Sequence, residues 1–465
     1  MRLRKGDIVE LWIDRMAYGG HGVARFDGFV IFVRGAIPGD RIMARVVKKK
    51  KDYANGNLLE LIESSPDRVE APCPYSGHCG GCQWQHLRYE RQLEYKKEQI
   101  KDSMARIGSI PEALVHEVIP SSKIYGYRNK MEFSFSDHRW LLPKEYEKGE
   151  KGDDFGLGLH VPGTFYKVID MEACLLQHDT GNRILQEVKR YVRESGVPVY
   201  GLKSHEGFWR FLSLRYSVAS DEWMVNLVTS EDKGNVIMPL AEALCMRINN
   251  IRTVVNNISR RKAAVALGES EVILTGKGHI NDRIGPFNFQ VSANSFFQTN
   301  SAGAEKLYKT VLEYSGLNGS EVVLDLYCGT GTIPIFLSGR AKEVIGMEIA
   351  ESAVLDAIKN CKKNNVSNCR FILGDIREKL RDLKLRPDIL IIDPPRAGIH
   401  KDILEGIMRM ATKRVIYVSC NPVTMARDIG RMLEKYELVE IQPVDMFPHT
   451  YHIEAVAKLV LRTDL

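Results

Sequence analysis

The chain has 465 residues, 44% of them apolar and 27% charged, with a formal net charge of +6, a length that divides into two or three domains with their own cores. No run of 18 apolar residues occurs, which excludes a spanning helix, and the start MRLRKGDIVELWID lacks the apolar stretch of a secretory signal. A cytoplasmic address is therefore expected, where nine cysteines stay reduced, bind metal or do chemistry.

Charge is uneven along the chain. Residues 1–62 carry 12 Lys and Arg against 7 Asp and Glu, which is +5 of the total +6, so a polyanion is expected to meet that end. Strand-like runs at Asp7–Ile13, Gly22–Arg25, Gly28–Val33, Arg41–Lys48 and Asn57–Ile62, punctuated by Gly19–Gly20, Pro38–Gly39 and Asn55–Gly56, predict a small closed barrel of the OB type. The stretches GDIVELWIDRMAYGGHGVAR and GFVIFVRGAIPGDRIMARV resemble the TRAM domain of RNA-modifying enzymes. That resemblance implies an RNA-binding domain over residues 1–63.

The polar connector Ser64–Pro72 leads into Cys73, Cys79 and Cys82, a C-x5-C-x2-C pattern whose glycines let a loop wrap a compact centre. Three sulfurs are one short of a tetrahedral zinc site or a cubane cluster, and Cys174, in DMEACLLQ, is the best remote fourth. Zinc sites more often use two C-x2-C knuckles, so three plus one favours a [4Fe–4S] cluster, with zinc and no metal at all left open. Leu87–Ile107 reads as a helix with Leu93, Ile100 and Met104 on one face and many charges opposite. Residues 64–290 form a central α+β domain whose topology the pattern does not yield. The polar run Lys144–Asp154 reads as a loop. Arg128, in YRNKMEF, sits in a basic–aromatic stretch suited to RNA or to an ordinary strand surface.

Over residues 291–465 the pattern becomes alternating strands and helices. EVVLDL (Glu321–Leu326), EVIGME (Glu343–Glu348), Arg370–Leu373, DILII (Asp388–Ile392) and Arg414–Val418 predict a parallel, doubly wound sheet. The first strand runs into Tyr327–Cys328–Gly329–Thr330–Gly331, a glycine turn between strand and helix. Asp325, Glu348 and Asp375 end three successive strands, an arrangement similar to S-adenosylmethionine binding in Rossmann-like methyltransferases; the alternative is that they cap the helices that follow. The fourth strand ends in Asp393–Pro394–Pro395–Arg396, without the aromatic of amino-directed DNA and RNA methyltransferases and without the second cysteine of cytosine-5 enzymes.

Cys420 ends the fifth strand beside that loop, at the carboxyl edge where ligands bind. The C5 carbon of uracil is too poor a nucleophile to take a sulfonium methyl unaided. A thiolate adding to C6 turns the ring into an enolate, and a base must later remove the C5 proton. Glu454, in MFPHTYHIEAV, is the expected base, with His449 and His452 as alternatives. Without that chemistry Cys420 is one more small buried hydrophobe.

The set FFQTN (Phe296–Asn300), DLYCGTGT, DPPRAG, YVSCNP and DMFPHTYHIEAV, in this order, resembles the RNA uracil-5 methyltransferase family. The resemblance implies that Gln298, Tyr327, Glu348, Asp375 and Asp393 contact S-adenosylmethionine, that Cys420 is the nucleophile and that Glu454 accepts the proton. Thr332 departs from the asparagine of several members. A cluster on matching cysteines, together with the barrel, belongs to the ribosomal-RNA branch, which implies 23S rRNA as substrate and ligand roles for Cys73, Cys79, Cys82 and Cys174. Transfer RNA, a cytosine target and a non-catalytic RNA-binding scaffold are the alternatives. Neither DNA nor a membrane is expected as partner, and nothing demands more than a monomer.

Overall fold

The computed structural model describes residues 3–152, 155–263 and 265–463. Near the N-terminus six strands pair in the order Ile8–Trp12, Arg41–Lys49, Tyr53–Glu63, Phe29–Arg34, Gly22–Phe26, Arg15–Met16. The two ends of this sheet are consecutive in sequence. Ile13 N–H donates to the Asp40 carbonyl at 2.9 Å and Asp14 N–H to that of Val23 at 3.0 Å, so the bend at Ile13–Asp14 closes the sheet into a barrel. Val9, Leu11, Ile31, Val33, Ile42, Ala44 and Val46 fill a separate core inside it, the inward half of a period-two pattern.

The turn expected at Asn55–Gly56 lies elsewhere. Both residues sit inside the strand Tyr53–Glu63, and the chain turns at Lys50–Asp52. Register shifts in the pairing with Arg41–Lys49 let this long strand curl around the barrel.

Seven strands build the middle of the chain in the order Ser270–Thr275, Ile251–Ile258, Glu222–Thr229, Trp209–Ser217, Lys130–Ser136, Gly156–His160, Val168–Asp170. All pairs are antiparallel except Glu222–Thr229 with Ile251–Ile258. Within the polar run Lys144–Asp154 a short helix forms at Pro143–Glu147, while Asp153 and Asp154 lie outside the described residues.

The C-terminal sheet has the order Cys369–Leu373, Glu343–Glu348, Val322–Leu326, Ile389–Ile392, Arg414–Ser419, Glu454–Leu461, Tyr436–Val444. The first five are parallel and the last two antiparallel. This is the Rossmann-like arrangement that the alternation predicts. Strand order reverses between Val322–Leu326 and Ile389–Ile392, which places the ligand crevice at their carboxyl ends. The strands are nearly continuous apolar runs because helices cover both faces.

The sheets do not stand apart. The helix Tyr89–Arg106 buries Ile100 and Met104 in the core of the C-terminal sheet, and Met16, Ile37, Trp84, Leu87 and Tyr95 form a small cluster at the meeting point of barrel, cysteine loop and helix. The charged side of this helix, which reads as solvated in sequence, is partly buried. Lys96 Nζ meets Asp445 Oδ1 at 2.6 Å with both side chains fully buried, and it also donates to the Phe447 carbonyl at 3.1 Å. Asp445→Asn leaves the lysine buried without its counter-charge and is expected to cost about 3–5 kcal/mol. A lowered denaturant midpoint checks this.

Candidate functional site

Three loops at the carboxyl edge of the C-terminal sheet make the site. Tyr327 leaves the strand Val322–Leu326 in the left-handed region, with φ +68°, a strained conformation for a non-glycine residue and one that concentrates at functional sites. It borders two cavities. One, of about 580 Å³, is lined by Tyr327, Glu348, Ile349, Asp375 and Ile376. The other, a narrow pocket of about 40 Å³, is lined by Gln298, Tyr327, Gly329, Thr330, Thr332 and Asp393. A Cβ on Gly329 would meet nothing within 4 Å, so the backbone of this turn is open to a ligand. A Cβ on Gly331 would lie 2.9 Å from Ala357 and 3.0 Å from Phe371, which makes that glycine a helix–sheet packing requirement.

Asp325 is fully buried, and neither of its carboxyl oxygens has a hydrogen-bond partner among the described residues. Burial, followed by the charges of Asp393 and Glu348, pushes its pKa well above the usual carboxylate range. Asp325 lines neither cavity, and its unpaired oxygens leave hydrogen-bonding capacity unused behind the glycine turn. Glu348 accepts from the N–H groups of Gly329 (3.1 Å), Ile349 (2.8 Å) and Ala350 (2.8 Å), and Asp375 caps its short helix through Arg377 N–H at 2.8 Å. The helix-capping alternative thus describes part of what Asp375 does, whereas the helix after Glu348 carries no side-chain cap. Asp375 also pairs with the Arg377 guanidinium, whose hydrogen bonds hold its pKa at about 2.

Gln298 is fixed from the central domain: Asn129 Nδ2 donates to its carbonyl at 2.9 Å and to Ser301 Oγ at 2.7 Å. Thr332, the departure from the family pattern, shares a hydrogen bond with Tyr308 Oη at 3.0 Å.

Cys420 follows the strand Arg414–Ser419 directly, and Asn421 ends the strand by capping the helix Pro422–Met432 through Val423 N–H at 3.1 Å. The Asn421 amide also donates to the Arg396 carbonyl at 3.0 Å, and Thr424 Oγ1 does so at 3.3 Å. The thiol loop is thereby tied to the Asp393–Gly398 loop. In the antiparallel pairing Ser419 stands opposite Ala455, and one further step brings Cys420 beside Glu454. The residues expected as nucleophile and base meet on one rim.

Burial, then Glu454, raise the Cys420 thiol to about 11, opposed by the charge and hydrogen bond of Arg396. Glu454 is buried, which with Asp393 lifts it well above the usual range, again opposed by Arg396. Burial lifts Asp393 to about 7. His449 and His452 are pushed down to about 4, chiefly by burial, and stay neutral. Arg396 is the residue that sequence reading undervalued: it fills the place of a missing aromatic, yet it faces both reacting groups. Since the free protein holds Cys420 as a thiol, iodoacetamide modification of its peptide is expected to rise about tenfold per pH unit through the neutral range. A plateau near pH 9 in peptide mass spectrometry contradicts the shift.

A family model for tRNA (uracil-5-)-methyltransferases matches residues 209–462, and one for the TRAM domain matches residues 2–59. The chain belongs to the tRNA (uracil-5-)-methyltransferase family. It is 41% identical to an uncharacterized RNA methyltransferase of Chlorobaculum tepidum, over 98% of this chain and 97% of that one. With one of Halalkalibacterium halodurans it shares 39% identity over 99% and 98%. Among solved structures, the Pyrococcus abyssi tRNA (uracil-54, C5)-methyltransferase in complex with S-adenosyl-L-homocysteine superposes with a TM-score of 0.77 at 31% identity, covering 97% of this chain and all of that one. This methyltransferase is accordingly an S-adenosylmethionine-dependent RNA uracil-5 enzyme with an N-terminal TRAM domain.

The four cysteines of the proposed centre lie close enough to act on one another. Burial and the neighbouring sulfurs raise Cys79 and Cys82 to about 12, and Cys174 feels Cys73. No three His, Cys, Asp or Glu side chains among the described residues stand in metal-holding geometry. The four sulfurs are donors of the right chemical type for a soft metal centre, without standing in the geometry that would hold one. No helix of the described residues is long and apolar enough to cross a membrane.

Proposed function

We propose that this methyltransferase makes 5-methyluridine in 23S rRNA through a covalent bond between Cys420 and C6 of the target uracil. The observation that carries the reading is the meeting of Cys420, Glu454 and Arg396 on the rim beside Asp393. S-adenosylmethionine supplies the methyl group, with the cavity at Glu348 and Asp375 suited to its adenosine and the pocket at Gln298, Tyr327 and Asp393 suited to its amino-acid end.

Cys420 sulfur adds to C6 and its proton passes to the neighbouring Asp393 carboxylate, leaving Glu454 ionised, while Arg396 holds the developing negative charge. The electron pair released to C5 takes the methyl group. Glu454 then removes the C5 proton, the C5–C6 double bond re-forms, and the thiolate leaves. A carboxylate held above its usual range is a stronger proton acceptor once ionised. The target base is presented outside its stack.

Residues 1–63 act in this reading as the RNA-binding unit, 64–290 as the central unit with the cysteine centre, and 291–465 as the catalytic unit, in a cytoplasmic monomer. Cys73, Cys79, Cys82 and Cys174 would hold a [4Fe–4S] cluster that links the loop to the central sheet, since methyl transfer itself needs no electron. Absorbance near 400 nm after anaerobic purification, lost in Cys79→Ser, supports the cluster; a colourless zinc protein refutes it.

The combination of barrel and cysteine centre supports ribosomal RNA, whereas similarity to a tRNA (uracil-54, C5)-methyltransferase structure favours transfer RNA. Mass spectrometry of nucleosides from both RNA pools of a deletion strain separates the two. Loss of 5-methyluridine from tRNA alone overturns the ribosomal assignment, and loss of 5-methylcytidine overturns the uracil one.

A further inference from the structure

The barrel reaches the catalytic rim. Tyr18, in the barrel loop Ala17–His21, packs edge-on against Tyr451 of the catalytic loop, with ring centroids 5.5 Å apart and an interplanar angle of 84°. Tyr451 in turn lies 4.2 Å from the His452 ring, two residues before Glu454. The barrel loop is pinned there: Trp84 Nε1 donates to the Gly20 carbonyl at 3.3 Å, and a Cβ on Gly20, at φ +80°, would crowd Trp84 and Tyr451 at 3.1 and 3.4 Å. The Tyr18 hydroxyl lies within electrostatic reach of Cys420, Arg396 and Glu454, and burial raises it to about 12, so it stays protonated. The residue is nonetheless 37% exposed. A partly exposed aromatic ring in T-shaped contact with Tyr451 beside the catalytic rim keeps surface on which a base can stack.

A cavity of about 400 Å³ lies between the barrel and the helix Tyr89–Arg106, with Tyr18 in its lining together with Val423, three residues beyond Cys420. Arg15, Arg25 and Arg106 line it with Phe32, against the carboxylates Asp14 and Asp102. Arg106 and Asp102 pair at 3.3 Å, while Arg15 makes no ion pair among the described residues. Three arginines against two carboxylates, beside the exposed Tyr18 and the half-buried Phe32, suit one nucleic-acid strand, with phosphates on the arginines and a base on Tyr18.

We propose that Tyr18 is a substrate-positioning residue of the methyltransferase pocket: the RNA strand enters along this cavity, and the base adjoining the target uridine stacks on Tyr18 where Tyr451 braces it. The TRAM barrel then forms one wall of the active site as well as tethering RNA. This rests on the RNA uracil-5 reading above.

The test uses the full-length protein and an RNA oligonucleotide carrying the wild type's own target uridine, with 2-aminopurine placed in turn on either side of it. Tyr18→Ala is expected to raise KM for RNA about tenfold, the loss of roughly one base stack, with kcat and KM for S-adenosylmethionine within about twofold of wild type. Quenching of one 2-aminopurine on binding should disappear in Tyr18→Ala and persist in Tyr18→Phe, which keeps the ring. If Tyr18→Ala melts early, Tyr18→Leu keeps the bulk without the stacking face and should show the same loss. Unchanged RNA KM and unchanged quenching in folded Tyr18→Ala or Tyr18→Leu overturn the proposal while product still forms. A wild type that methylates no RNA uridine overturns the function reading, and this inference with it.

Discussion

In Cys420→Ala, methyl transfer is expected to fall about 10⁴-fold or more, while S-adenosylmethionine binding stays near wild type because the cavities around Tyr327 do not include the thiol. The loss is large because no other group on the rim can add to C6 and so make C5 nucleophilic enough to take the methyl group. Cys328 is buried inside the glycine turn with its thiol pushed far up by burial and by Asp325, so it offers no substitute nucleophile. RNA containing 5-fluorouridine gives the sharper readout. Fluorine at C5 cannot leave as a proton does, so the wild type should be trapped with its RNA in a denaturation-resistant, cofactor-dependent complex. An undiminished complex in Cys420→Ala would falsify the nucleophile assignment.

Glu454→Gln separates the two halves of the reaction. The amide keeps the size and polarity of the side chain but cannot accept the C5 proton. Addition of Cys420 and methyl transfer proceed, elimination stalls, and turnover drops about 10²–10⁴-fold. A methylated protein–RNA adduct should therefore accumulate on ordinary uridine, with no fluorine needed. His452 packs near the same rim and stays neutral, which makes it the control. If His452→Ala accumulates the adduct and Glu454→Gln does not, the base is the histidine.

The catalytic sheet was legible because its parallel strands are continuous apolar runs, with motifs falling at their carboxyl ends. The pairing of Cys420 with Glu454 followed from two strands meeting at one edge, although their antiparallel register is visible only in three dimensions. The central sheet was not legible, because its strands bury polar side chains such as Asn226, Asn256, Asn257, Arg210 and Arg215 and so break the period-two pattern. Asn256 and Asn257 are satisfied across the sheet, by the Leu227 carbonyl at 2.9 Å and by Asn226 at 2.8 Å, and no local rule announces such partners. Asn55–Gly56 misled for the opposite reason: a strong local turn signal lost to the barrel's strand pairing. Lys96 reads as one charge among many on a helix, and its partner lies 349 residues away. Tyr18 gave no signal, because its neighbours come from the far end of the chain.

That 349-residue separation has a consequence for how the protein is made. A chain emerging from the ribosome exposes the helix Tyr89–Arg106 long before Asp445 has been synthesised, so Lys96 must wait hydrated and cannot yet be enclosed. Gln83 and Trp84 face the same delay, because both N–H groups donate to the His449 carbonyl at 2.9 Å. The helix, the cysteine loop and the barrel loop at Gly20 can therefore settle only after translation has passed these late residues. A nascent fragment can hold the paired barrel strands that meet RNA, but it has no assembled rim with which to modify it. Settling of the helix and the cysteine loop is in this way tied to near-complete synthesis by a single buried charge pair and one shared carbonyl.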